Sequence, residues 1–210
     1  MIMTAEEHAL VLDFMPKGKS SASTSEPIAQ VIGKDFFTLL EVTPKAGVFL
    51  NVGDEIYVGK EVRDKVELIK GRIAYKDLTS NALSDLEEVI EKIIDAKPEK
   101  YLGFFNTSKP ISLVRHQLEL LPGLGKKHML IALDERAKKP FESFDDVAKR
   151  VPGIKEPKKA IIKRIIEELE TPEDKHYLFV RAPAETTKQF YGGGYNRGFS
   201  GRPNYPPRRF

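Results

Sequence analysis

The chain has 210 residues, 40% of them apolar and 31% charged, with 34 Lys and Arg against 31 Asp and Glu for a formal net charge of +3. That length carries one large or two small domains around a real core, and no uncharged apolar run reaches the roughly 18 residues that a membrane span needs. With no cysteine, a disulfide frame, a thiolate zinc site and a cysteine nucleophile are excluded, and the lack of a basic, cleavable leader ahead of His8 makes a cytoplasmic location the expectation.

Residues 1–78 read as β structure. Apolar runs at 8–14, 28–32, 36–42, 55–58 and 65–75 are separated by turn-rich spacers at 16–26 and at Gly53-Asp54, the punctuation of short strands. Five strands in so short a stretch predict a small barrel of the oligonucleotide/oligosaccharide-binding (OB) type. Lys17, Lys19 and Lys34 fall in or beside its loops, and of the adjacent Phe36 and Phe37 one is free to face outward. Ordinary burial tendencies favour core phenylalanines and solvated lysines.

Residues 79–111 form a bridge. Thr79-Ser80 can cap a helix whose apolar positions Leu83, Leu86, Val89, Ile90, Ile93 and Ile94 recur at three- and four-residue intervals up to a stop at Lys97-Pro98,. Residues 101–110 follow as an ordered connector, too rich in Tyr101, Leu102, Phe104 and Phe105 to be a free linker.

Residues 112–172 contain a weak repeat. The first unit is a helix with Leu113, Val114, Leu118 and Leu121, the turn Pro122-Gly123-Leu124-Gly125, and a helix with Leu130, Leu133 and Ala137. The second is a helix over 143–150 capped by Ser143 and Asp146, the turn Val151-Pro152-Gly153-Ile154-Lys155, and a helix entered at Pro157 with Ile161, Ile162, Ile165, Ile166 and Leu169,. A glycine-bearing turn that runs into a helix near Lys126 offers bare amides at the positive end of the helix dipole, which suits a phosphate.

This pattern resembles the tandem helix-hairpin-helix domain of many DNA repair and recombination proteins. The resemblance implies that the amides of Gly123, Leu124 and Gly125 hold a backbone phosphate, with Lys126 and Lys127 flanking and a monovalent cation admissible beside it; no other cofactor is implied. Gly153, Ile154, Lys155, Lys158 and Lys159 would be a second, weaker set, since Lys155 stands where a second glycine is expected and Glu156 follows it. Either hairpin can alternatively do no more than turn two helices for packing or for contact with a protein partner.

Residues 173–187 hold Tyr177, Phe179 and Val180 in a stretch, 176–181, that reads as a late strand returning to the barrel. Residues 188–210 are low in complexity and predicted to be disordered. From Lys188 onward there are five basic residues and no acidic one, so residues 1–187 carry −2, the chain's +3 less the tail's +5. Tyr195, Arg197, Arg202, Arg208 and Arg209, set among glycines, suit phosphate contact and base stacking.

No catalytic constellation emerges. His8, His116, His128 and His176 are scattered without metal-ligand spacing, and no P-loop is present. Asp145-Asp146 and Glu167-Glu168 read as a helix cap and a solvated helix face.

From about residue 8 to 181 the chain also resembles a DUF655-like archaeal family of unknown function. The strings that carry this are Val11-Leu12-Asp13-Phe14, Pro27-Ile28-Ala29-Gln30-Val31-Ile32-Gly33, Leu39-Leu40-Glu41, Phe104-Phe105-Asn106, residues 118–127 and Pro140-Phe141-Glu142-Ser143-Phe144. The resemblance implies an N-terminal OB-like barrel, a C-terminal tandem helix-hairpin-helix domain and a nucleic-acid-binding role, with no reaction attached. The expectation is therefore an α+β, non-catalytic, nucleic-acid-binding protein. RNA, structured or ribosomal, is favoured over DNA by the barrel and the tail. The alternatives are a DNA repair or recombination accessory and a protein-interaction module; no membrane association is expected.

Overall fold

The computed structural model describes residues 6–18, 26–171 and 176–182. The tail positions Tyr195, Arg197, Arg202, Arg208 and Arg209, and Lys19 in the first loop, lie outside the described residues. Among the described residues the chain is α+β, with a five-stranded antiparallel sheet followed by five helices, and no helix there is long and apolar enough to cross a membrane.

Strands β1 (His8–Met15), β2 (Ile28–Gly33), β3 (Leu39–Pro44), β4 (Glu55–Tyr57) and β5 (Val66–Arg72) lie in the order β4-β1-β2-β3-β5. β3 starts three residues later than the sequence suggests, because Phe37 takes a left-handed φ of 54° that interrupts extension,. Bulges after Val11 and at Glu41/Val42 and Thr43/Pro44 bend the strands and curl the sheet,. β4 and β5 share no ladder, so what forms is a curled half-barrel where a small OB-type barrel was expected. Both faces are buried along most of β1, β2 and β3, which is why those strands read as continuous apolar runs, while β5 is largely exposed. Ala9, Val11, Ala29, Val31, Leu40, Val42 and Ile56 fill the inside of the curl, while Leu10, Leu12, Ile32, Phe37 and Leu39 face the helices,.

Helix α1 (Ser80–Ala96) is capped by Thr79, whose Oγ1 accepts from the Ala82 amide at 3.1 Å,. Its stripe of Ala82, Leu86, Val89, Ile90, Ile93 and Ile94 is buried; Leu83, expected on that face, lies in the first turn of the helix and is 39% exposed. The start of α1 is fastened to the sheet by Gln30, fully buried in β2. Its Nε2 donates to the Asp77 carbonyl at 2.9 Å and its Oε1 accepts from the Thr79 amide at 2.8 Å. Thr79 Oγ1 also donates to Asp13 Oδ2 at 2.6 Å.

The expected connector is in fact helix α2 (Pro98–Thr107), with Pro98 at its first turn and Tyr101 and Phe105 buried. The proline that stops α1 pre-sets φ for a new helix and lacks only an N–H that would be orphaned there. Helices α3 (Lys126–Lys138), α4 (Phe144–Arg150) and α5 (Pro157–Glu170) follow. No helix carries Leu113 and Val114: residues 111–115 form a loop, succeeded by a short 3-10 segment, Gln117–Leu120. In α3 the inward residues are Met129 and Ala132, whereas Leu130 is 54% exposed and Ala137 is exposed too. The polar face of α3 is interrupted by apolar residues, so its periodicity misplaces the buried stripe by one position.

Residues 176–182 return to the sheet without forming a strand. Arg181 N donates to the Phe36 carbonyl at 3.1 Å, but the amides of Leu178, Phe179 and Val180 all go to the Glu168 carboxylate, at 2.8, 3.0 and 2.9 Å. Amides engaged there cannot enter a ladder. Phe37 is fully buried, and Phe36 is half-buried with the Arg181 guanidinium 4.2 Å from its ring centre.

Gln30→Leu keeps the volume and removes the partners of the Thr79 N–H and the Asp77 carbonyl, so it should destabilise the fold by about 1–3 kcal/mol. Urea unfolding checks this; an unchanged midpoint would show that the clamp contributes nothing.

Candidate functional site

Two segments of the helical half share one pattern, apolar-Pro-Gly-apolar, and one geometry. In Leu121-Pro122-Gly123-Leu124 the last amide donates to the first carbonyl at 3.0 Å; in Val151-Pro152-Gly153-Ile154 the same bond is 3.2 Å. Gly123 has φ 85° and Gly153 φ 100°. Proline at the second position and a positive-φ residue at the third are what a type II turn requires. Leu121, Leu124, Val151 and Ile154 are buried, so each turn is anchored at both ends and presents its Pro-Gly corner outward. The same bond removes two expected donors: the amides of Leu124 and Ile154 are already used within the turns.

After the first turn, Gly125 is the N-cap of α3, with φ −71° and ψ 171°. The amides that follow it, at Lys126 and Lys127, belong to the first helical turn and have no helical acceptor. A Cβ at Gly123 or Gly125 would meet nothing within 4 Å, so a ligand can approach the backbone there. The concavity at this turn, about 540 Å³, is bordered by Lys126 and Lys127, His128, Glu119 and Glu167. Lys126 and Lys127 are exposed and without an ion-pair partner among the described residues. Of the two acids, Glu119 accepts from the His116 amide at 2.7 Å and Glu167 lies 3.6 Å from Arg164. The Leu118 and Leu121 carbonyls each accept one amide and retain a second lone pair, the donor type a monovalent cation takes.

The second concavity, about 320 Å³, adjoins the first and shares Pro122, Gly123 and Leu124 with it. Lys155 is exposed on its rim. Lys159 is there too, paired with Glu156 at 2.6 Å. That hydrogen bond raises the Lys159 pKa and lowers that of Glu156. Lys158, expected at this turn, points elsewhere: its Nζ reaches Glu91 at 2.7 Å and Asp95 at 3.1 Å on α1, and the hydrogen bond to Glu91 raises its pKa. Neighbouring helical residues diverge by about 100°, so Lys158 and Lys159 cannot serve one face. Lys163, which the sequence reading passed over, lies on the rim; its signal was the four-residue step from Lys159.

The two units touch directly. A Cβ on Gly153 would lie within van der Waals overlap of the His128 ring, 2.3 Å from Nε2, so the missing side chain at 153 lets α3 pack against the second turn. Among the described residues, the buried His128 Nδ1 has no hydrogen-bond partner.

Two polar centres brace these turns. Arg136 on α3 donates to the carbonyls of Phe105 and Ser108 and to Ser108 Oγ, each at 2.9 Å. His116, 5% exposed, accepts from the Leu118 amide through Nδ1 at 3.1 Å. Burial, and then the charge of Arg136, push its pKa below the ordinary histidine value. Of the acidic pairs, Asp146 accepts from the Ser143-capped turn's Glu142 amide and from Arg150. Glu168 is no solvated face residue: it is buried against Arg164 at 2.9 Å and the 178–180 amides. A larger cavity, about 750 Å³, lies away from both turns between Leu39, Ile73, Tyr75, Leu169 and Val180.

Residues 5–181 match a family model described as a protein of unknown function, DUF655. An uncharacterized protein of Methanocaldococcus jannaschii is 40% identical over 177 residues, 84% of this chain and 80% of that one. A crystal structure of a DUF655 protein from Archaeoglobus fulgidus superposes with a TM-score of 0.80 at 48% identity, over 84% of this chain and 100% of that one.

Two glycines give opposite expectations. Gly153→Ala combines a left-handed φ with the His128 overlap and should cost on the order of 1–3 kcal/mol. Gly125→Ala, with ordinary φ and open space, should stay within about 1 kcal/mol of the native chain. Calorimetric melting of both variants compares them.

His116 sets a pH dependence. Its folded pKa lies below the unfolded value near 6.5, so the unfolded chain binds the proton more readily,. The stability this group supports is fully present above about pH 6.5 and is lost as pH falls from there through the folded pKa. His116→Asn, whose Oδ1 can still accept from Leu118, should lose stability less steeply between about pH 7 and 5 in urea titrations; equal slopes would exclude His116 as a source.

Proposed function

This chain belongs to the DUF655 family, whose function is unknown, and we propose that it is a non-catalytic protein that grips nucleic-acid backbone through two tandem helix-hairpin-helix turns. The observation that carries the reading is the duplication itself. Two type II turns of the same apolar-Pro-Gly-apolar sequence stand side by side with their corners outward, the first running directly into the N-terminus of a 13-residue helix. Glycines without steric neighbours admit a phosphate to the amides of Gly125, Lys126 and Lys127, where the helix dipole favours an anion. Lys126, Lys127, Lys155 and Lys163 supply charge around it. Such contacts fix position and register without reading base sequence.

RNA is the favoured target. The curled sheet supports an OB-type barrel reading, a scaffold suited to oligonucleotides, and the basic Tyr- and Gly-containing tail suits stacking on unpaired bases. The Lys159–Glu156 pair cancels one cation at the second turn and favours a weaker or protein-facing role for that turn. A DNA repair or recombination accessory is the reading that the turns alone would support.

Gly125→Asp separates binding from folding. At an N-cap with open space, aspartate caps α3, so the thermal midpoint should hold or rise, while its charge opposes a phosphate. Affinity for labelled single-stranded RNA, duplex RNA and duplex DNA, titrated at two salt concentrations, should fall on the order of tenfold, about the worth of one hydrogen bond to a charged group. Unaltered affinity would remove the first turn from the reading.

A further inference from the structure

Residues 109–117 form a braced loop that the two turns do not use. Pro110 and His116 pair across its neck. Gln117 N donates to the Lys109 carbonyl at 3.1 Å and Lys109 N to Gln117 Oε1 at 2.7 Å, while the amides of Ile111 and Ser112 both reach the Arg115 carbonyl, at 2.8 and 3.1 Å. At its tip stand two adjacent apolar side chains in full view of solvent: Leu113 is 106% exposed and Val114 81%. Isolated apolar residues on a surface need no explanation, but two neighbouring ones on a loop held by four hydrogen bonds are a persistent apolar projection.

The charge beside the tip indicates what it meets. Lys109 and Arg115 flank the neck, are exposed, and have no ion-pair partner among the described residues. Two cations at the base of an apolar tip match a ligand with anions outside and apolar faces inside, which is a stacked nucleic acid. The neck of the loop is joined to the first turn by a short tether, since only the 3-10 segment and Leu121 separate His116 from Pro122, roughly 10 Å of chain.

We propose that Leu113 and Val114 form a wedge that inserts against the base stack of the nucleic acid held by the first turn, with Lys109 and Arg115 on the phosphates beside the opened step. The proposal rests on the nucleic-acid reading above and names the ligand class within it: base-paired nucleic acid with a break in its stacking, such as a bulge or a nick. Opening a continuous stack is costly, and apolar wedges that do so act where that cost is recovered. A site already unstacked lowers the cost, so the wedge selects for it.

The test uses the full chain, the Leu113→Ser/Val114→Ser double variant and Gly125→Asp. Each is titrated against continuous and bulged duplexes, in RNA and in DNA, carrying 2-aminopurine beside the bulge. Both tip side chains are exposed, so the double variant should melt like the native chain. The native chain is expected to prefer the bulged duplex and brighten the 2-aminopurine; the double variant should lose the brightening and bind the bulged duplex on the order of tenfold more weakly, while keeping its affinity for continuous duplex. The RNA and DNA arms show which polymer supplies the stack. A double variant indistinguishable from the native chain overturns the wedge and leaves the turns untouched. Loss of bulge preference in the double variant, with Gly125→Asp binding like the native chain, supports the wedge and removes the turn. No binding of any duplex by the native chain overturns both.

Discussion

The burial of one stripe of α1 is the constraint on which the rest of the molecule depends. Leu86, Val89, Ile90, Ile93 and Ile94 lie in one continuous core with Leu10, Leu12 and Ile32 of the sheet and Ile161, Ile162 and Ile165 of α5. A sheet curled this tightly has an inside it can fill alone and an outside it cannot. α1 covers that outside and offers its remaining flank to the helical half. The polar clamp of Gln30, Thr79 and Asp13 fixes where the stripe begins, and the burial of Ile161, Ile162 and Ile165 sets α5 along it, with Lys158 reaching Glu91 and Asp95 at the surface,. The positions of both Pro-Gly turns follow from that packing, because Leu121, Leu124, Val151 and Ile154 are anchored in the same core.

Much of this was legible in the sequence, and the reasons are local. β1, β2 and β3 are long enough and apolar enough to be found by pattern, the shorter β4 follows the Gly53-Asp54 corner, and Thr79 before a three- and four-residue apolar rhythm gives the start and most of the inward face of α1. The turns are visible because a proline followed by a positive-φ glycine has few other uses. What escaped detection needed tertiary information. A proline that ends one helix and begins the next, as Pro98 does, reads as a stop from either side. Leu113 and Val114 look helical by composition, yet hydrogen bonds from Lys109 to Gln117 close the loop instead.

The site divides in the same way. Gly123, Gly125, Lys126, Lys127 and Lys155 lie where the pattern places them, whereas Lys158 is drawn off by acids that are 67 and 63 positions earlier in the chain. No rule of spacing anticipates that. Glu168 reads as one half of a surface Glu-Glu pair, and only the return of residues 176–182 reveals it as buried. The Gly153 and His128 contact is likewise invisible, since it joins a turn of one unit to a helix of the other.

Glu168 has a consequence for how this segment tolerates change. Its carboxylate binds Leu178, Phe179 and Val180 through their main-chain N–H groups alone, so the clamp is indifferent to the identity of those three side chains except for proline, which has no N–H to give. Polar substitutions here leave those N–H contacts in place and instead cost the packing of Leu178, Phe179 and Val180 on the core, where the Phe179 ring lies 5.1 Å from that of Phe104, while a lone proline removes one of the three contacts,. The acid that dictates the route is carried by α5, several residues away from the text it controls.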